Sequence, residues 1–185
     1  MIAIRAMAAA GLTILVSGMA QAETEGFEQR DAHVHGAIVV NIAIDDGRLT
    51  VGVEAPAVNV VGYEHRPRTD ADREVLAAAQ AWLASGRGIV GVPAAAGCRL
   101  HRVELEQPDW ADKKSHDHEH DDADGHADFD AQFTYHCAAA RQLDYVDLWL
   151  LKRLPGTTTA TVNVVAAELQ TSVAVTPDSA RVALR

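Results

Sequence analysis

Residues 33–54, HVHGAIVVNIAIDDGRLTVGVE, decide the fold class. From His33 to Ile44 the chain is rich in Val and Ile, Asp45-Asp46-Gly47 supplies a turn, and Leu49 to Glu54 resumes an extended pattern. Two such runs around an Asp-Gly turn describe an antiparallel hairpin. Ala55-Pro56 stops the second strand, and Pro56 to Gly62 reads as a short helical turn.

Farther along, one helix is clear. Thr69 with Asp72 three residues on approximates a capping box, Ala71, Val75, Ala79, Trp82 and Leu83 recur at helical spacing, and Gly86 ends the pattern. Arg99 to Gln107 alternates as a strand, with Leu100, Val103 and Leu105 as its apolar members. Phe129 to Cys137, Tyr145 to Leu151, Thr159 to Ala166, Leu169 to Val175 and Arg181 to Leu184 read as further strands, with Pro155-Gly156 and Pro177-Asp178 as turns between them. The expected class is α+β, a mainly antiparallel β-sheet domain with one substantial helix and a disordered His/Asp-rich loop. An all-β sandwich with a decorating helix is the nearest alternative.

Upstream of the hairpin, a short positive start at Arg5, an apolar stretch to Val16 and Ala20-Gln21-Ala22 before Glu23 describe a cleavable signal peptide over residues 1–22. The apolar run is too short to span a bilayer, so no membrane insertion is expected after cleavage. Residues 23–185 are then expected to form a single domain in the periplasm. Arg5 is the only charged residue of the leader, which leaves 15 basic against 26 acidic residues and a net charge of −11. That sign argues against nucleic acid and anionic lipid as partners and suits the gathering of cations.

Cys98 and Cys137 are the only cysteines. In an oxidising compartment an even pair reads first as a disulfide, closing a loop of about 40 residues and stabilising the fold by about 3–4 kcal/mol on the chain-entropy model. The competing reading, two thiolate metal ligands, normally shows a C-x-x-C pair, which this sequence lacks. All three methionines, Met1, Met7 and Met19, fall in the leader. A copper(I) carrier, which leans on soft sulfur ligands, loses most of its support.

Between the strand ending at Gln107 and the one starting at Phe129, composition changes abruptly. The segment 109–128 is polar and acidic and includes Ser-His-Asp-His-Glu-His-Asp-Asp-Ala-Asp-Gly-His, which cannot bury enough apolar surface to fold alone. It reads as a flexible loop. His116, His118, His120 and His126 can bring two or three imidazoles onto one ion, and the intervening carboxylates concentrate cations. If the flanking strands pair, a Cys98–Cys137 bridge staples the far end of a hairpin whose tip is this loop.

A second cluster is sharper. His33 and His35 stand at i and i+2 at the start of a strand, so both rings face one side and can share an ion, with Gly36 leaving room beside them. His65 alone is ambiguous between packing and ligation, and Glu54 and Glu64 are carboxylates that could fill a fourth position or simply be solvated. His101 follows the polar phase of its strand and reads as structural. His136, beside Cys137, could approach the first strands.

The ordered landmarks are His33-Val-His-Gly, the run Glu54-Ala-Pro-Ala-Val-Asn-Val-Val-Gly-Tyr-Glu-His65, Pro93-Ala-Ala-Ala-Gly-Cys98, the His/Asp-rich insert, and His126-Ala-Asp-Phe129 leading to Cys137. Together they resemble the ZrgA-like family of zinc-regulated periplasmic proteins, over almost the whole mature chain. The resemblance implies a zinc-binding protein that assists zinc acquisition beside an ABC-type zinc importer. It implies His33, His35 and His65 as the fixed Zn2+ site, with Glu64 a candidate ligand and His126 matching the histidine that ends the insert. The other insert histidines carry over only as a class of segment.

Other functions fit less well. Asp31-Ala-His-Val-His-Gly36 also resembles the metal-binding H-x-H of amidohydrolase barrels, but such barrels need about 250 residues in alternating strands and helices. No H-E-x-x-H is present for a metalloprotease, so no catalytic residue is assigned. A periplasmic buffer or store for zinc, nickel or copper(II) needs the same exchangeable ligands as an uptake protein, and the sequence does not separate the two.

Overall fold

The structure, a computed structural model, describes residues 36–108, 110 and 128–185. His33, His35, His116, His118, His120 and His126 lie outside them, as does the leader.

The expected hairpin is present as β1 (Ala37–Asp45) and β2 (Arg48–Pro56). They pair antiparallel from Val39↔Glu54 to Asp45↔Arg48, with Gly47 supplying the positive φ that the turn requires. β2 ends in the short helix α1 (Ala57–Val61), closed by Gly62, and the chain then enters α2 (Asp70–Ser85). The remaining strands are β3 (Cys98–Glu106), β4 (Asp128–Cys137), β5 (Tyr145–Asp147), β6 (Thr159–Ala166), β7 (Leu169–Val175) and β8 (Arg181–Ala183). They form a six-stranded sheet ordered β3-β4-β2-β1-β6-β7 and a two-stranded β5-β8 sheet. The fold is α+β, with one departure from a purely antiparallel pattern: β1 and β6 run parallel, from Ala37↔Thr159 to Ala43↔Val165.

One face of the large sheet is the core. Ile38, Val40 and Ile42 of β1, Leu49, Val51 and Val53 of β2, Phe129 and Phe133 of β4, and Val162 and Val164 of β6 are buried on it at the period of two that a pleated strand imposes. Leu76 and Leu83 of α2, Ile89, and Leu148, Leu150 and Leu151 belong to the same apolar cluster. The opposite face is polar. There a ladder of side chains crosses four strands: Ser172 donates to Asn163 at 2.8 Å, Asn163 to Asn41 at 2.9 Å, and Asn41 to Glu54 at 2.9 Å.

Helix α2 begins as its capping box requires. Thr69 Oγ1 accepts from the Asp72 amide, while the Asp72 carboxylate accepts from the Thr69 and Arg68 amides. Those amides, Thr69 first, hold the Asp72 carboxyl below the usual carboxylate value. The buried stripe differs from the expected one: Leu76 and Leu83 are buried, whereas Ala71 and Val75 face solvent. The helix is rich in alanine, so several apolar phases fit equally well, and packing against the sheet selects one.

Two further expectations are corrected. Tyr145 to Leu151 is a strand only to Asp147, after which Trp149–Arg153 turns into a 3-10 helix. The Leu150 amide donates to the Ile89 carbonyl, and its apolar side chains enter the core from that turn rather than from a ladder. In β3, register shifts between Leu100 and Arg102, leaving His101 as the extra residue of a bulge. That bulge explains why Leu100 and Val103, an odd spacing, lie on the same face.

Candidate functional site at the insert end of the sheet

β3 and β4 pair antiparallel from Cys98↔Cys137 to Glu106↔Asp130, and the insert joins their other ends. Cys98 and Cys137 form a disulfide across directly opposed positions, so the far end of the hairpin is covalently closed. Residues 107–128 therefore leave and re-enter the fold at the opposite end of the sheet.

That end is built around α1. Asn59, fully buried, holds the first residues of β1: its Oδ1 accepts from the Gly36 amide at 3.1 Å and its Nδ2 donates to the Ala37 carbonyl at 2.9 Å. Gly36, the residue after His35, is also held from β6. Its carbonyl accepts from the amides of Thr158 and Thr159, and from Thr158 Oγ1 at 3.0 Å. The sequence assigned Gly36 the role of leaving space for histidines. The structure adds another: its φ is +87°, and a Cβ there would lie 2.8 Å from Thr158 Oγ1.

Six residues past Asn59 comes His65, half-buried between α1 and α2. Tyr63 stacks on its ring, centroids 5.0 Å apart and planes 19° from parallel. Tyr63 is itself anchored, its hydroxyl donating to the Asp72 carbonyl at 2.6 Å. His65 Nδ1 lies 2.9 Å from the Arg66 carbonyl, which can only accept, so Nδ1 carries the proton and Nε2 is the ring's available donor atom. A backbone carbonyl accepting from one imidazole nitrogen, with the other open among the described residues, is the usual arrangement of a metal-ligating histidine.

The insert's two bases flank this place. On the entering side, Gln80 of α2 hydrogen-bonds Gln107, and Trp110 packs 6.0 Å from Tyr63. On the returning side, Asp128 opens β4 opposite Pro56, immediately before α1. Gly36, His65, Trp110 and Asp128 thus surround α1 and the segment that follows it. Glu64 is exposed there, whereas Glu54 lies on the polar sheet face in its bond to Asn41. Among the described residues no three His, Cys, Asp or Glu side chains are grouped to hold a metal. Of the residues expected to bind zinc, His65 and Glu64 lie among the described residues, whereas His33, His35 and the insert histidines do not.

His101 and His136 lie elsewhere. His136 does approach the first strands, standing opposite Arg48 of β2, and its ring contacts His101 at the disulfide end. Asn59, Tyr63 and Trp110 were not singled out from sequence, because an apolar helix, a Tyr and a Trp carry no local mark of a positioning role. Among the described residues no helix is long and apolar enough to cross a membrane.

No curated protein matches the chain. The family model described as "ZrgA family zinc uptake protein" matches residues 32–184, from the residue before His33 to the residue before the last. The match therefore takes in His33, His35, His65, the insert and the disulfide together, and the chain belongs to the ZrgA family of zinc uptake proteins.

Proposed function

We propose that this chain is an exported periplasmic zinc-binding protein that captures zinc and assists its uptake beside an ABC-type importer. His33, His35 and His65 form the ordered site, with Glu64 or water completing it. His116, His118, His120 and His126 gather ions more loosely and pass them on. The carrying observation is convergence at one end of the sheet. The backbone directly after His35 is bound to Asn59, His65 follows on the same connection with Nε2 open, and both bases of the insert stand beside them.

Charge supports capture. Glu54, Asp130 and Glu106 stand in register across β2, β4 and β3 near the insert bases and, with the acidic insert, raise the local concentration of divalent cations. The disulfide supports an oxidising compartment, and zinc uptake as the family's role supports binding over catalysis.

The test is calorimetric titration with zinc of the mature chain, a variant lacking residues 115–125, and His33→Ala/His35→Ala/His65→Ala. The expected pattern is one tight event that survives the deletion and is lost in the triple variant, with weaker events lost in the deletion. Loss of all binding with the insert would remove the ordered site, and full tight binding by the triple variant would do the same. Impaired growth of a deletion strain under zinc starvation is the outcome expected of uptake. Sensitivity only to excess metal would replace uptake by buffering.

A further inference from the structure

We propose that His101 and His136 form a second, weaker metal locus at the disulfide end of the sheet, a two-imidazole chelate for a zinc-like divalent ion with water completing the shell. It is independent of the insert-end site. His136 and Asp128 are separated by eight steps along β4, about 26 Å at the rise of a strand, so the two places cannot share an ion.

The bulge creates the pair. With Leu100 opposite Tyr135 and Arg102 opposite Thr134, His101 and Arg102 together oppose one residue, and His101 is brought to the polar face that carries His136. The ring centroids are 4.3 Å apart, with planes tilted by 41°. Two nitrogens bound to one tetrahedral zinc at about 2.0–2.1 Å are separated by roughly 3.3–3.5 Å, which rings already in contact reach by side-chain rotation alone.

The backbones beneath them are held. Cys98 and Cys137 are bridged, and the Cys137 amide donates to the Gly47 carbonyl at 2.7 Å. Little backbone entropy remains to be lost when the rings close on an ion. Both imidazoles are exposed, and among the described residues their ring contact is with each other. Each ring therefore keeps a nitrogen for a ligand.

The surroundings determine the strength. Arg48 and Arg99 flank His136 in register on either side. Arg102 is paired with Glu104 at 2.8 Å, and that carboxylate also accepts from Gln132 at 3.0 Å. Nearby guanidinium groups repel a dication, and two protein ligands hold it less well than three. The locus therefore fills at zinc concentrations at least about tenfold above the tight event. Added salt screens that repulsion and leaves its affinity equal or higher, whereas capture by the acidic insert weakens with salt.

The full chain is titrated with zinc chloride and probed with diethyl pyrocarbonate, with peptide mass spectrometry reporting modification at each histidine. His101 and His136 are expected to become protected together, at the same zinc concentration and with no loss of protection at raised salt. His101→Asn is expected to abolish protection at His136, and His101→Asn/His136→Asn to bind one zinc fewer in equilibrium dialysis while keeping the tight event. Protection of one histidine without the other, absence of protection at millimolar zinc, or unchanged stoichiometry in the double variant would each overturn the proposal. Circular dichroism of the variants confirms that the sheet persists, so a lost equivalent is not a lost fold.

Discussion

Replacing Asn59 with alanine tests whether α1 holds in place the histidines proposed as zinc ligands. Asn59 is fully buried and makes two hydrogen bonds to the start of β1, from Gly36 N at 3.1 Å and to Ala37 O at 2.9 Å. Truncation leaves a buried amide and a buried carbonyl without that partner, at about 1–3 kcal/mol for each group left unsatisfied. We expect about 3 kcal/mol of lost stability, a large fraction of the 5–15 kcal/mol typical of a domain. The sheet should survive, because the Gly36 carbonyl still accepts from Thr158 and Thr159. His33 and His35 lie just upstream of the released residue, so tight zinc affinity should fall about 10–100-fold, the range seen when a group that orients a metal ligand is removed. Urea unfolding supplies the stability, at constant m-value, and calorimetric titration of the same preparation supplies the affinity. A stability loss under about 0.5 kcal/mol would mean that water replaces the amide. A full stability loss with unchanged zinc affinity would refute the link from Asn59 to the histidines.

Three further outcomes are expected. Cys98→Ser/Cys137→Ser opens a bridge spanning 39 residues and should cost about 3–4 kcal/mol on the chain-entropy model, read as a lower urea midpoint. Burial pushes the Tyr135 hydroxyl up to about 12 from 10.0. Because the folded value is the raised one, its contribution is fully present below pH 10 and is lost as pH rises towards 12. Tyrosinate absorbance should therefore show a group ionising near pH 12 that is absent in Tyr135→Phe, and no loss of late-ionising absorbance in that variant would contradict the burial. Trp110 contacts Tyr63, which stacks on His65, so zinc should change tryptophan emission in the native chain and change it far less in Trp110→Phe. An equal response in the variant would assign the signal to Trp82 or Trp149.

The hairpin of β1 and β2, the strands β3, β4, β6 and β7, and the α2 caps were legible because each rests on local chemistry. β-Branched runs, Asp46-Gly47, Thr69 with Asp72, and Gly86 act within a few residues. The Cys98–Cys137 pairing was legible because only two cysteines exist. The candidate ligands His33, His35, His65 and those of the insert could be named from residue type and spacing, and His33, His35 and the insert histidines lie outside the described residues.

What the sequence could not express is adjacency between distant segments. The parallel β1–β6 pair joins residues about 120 apart, and nothing in either strand states its partner. The buried phase of α2 was open because alanine satisfies several helical faces, and the sheet beneath chose Leu76 and Leu83 over Ala71 and Val75. The contact of His101 with His136 depends on a bulge, which is a property of two strands in register and not of either alone. By itself, then, the sequence determined the strand-rich class, the helix caps and the disulfide, and named the candidate zinc ligands, all consequences of short-range chemistry and composition. Only the tertiary structure decided that Gly36, His65 and both insert bases share one end of the sheet, because that meeting depends on strand order and on buried hydrogen bonds such as those of Asn59, made between residues far apart in the chain.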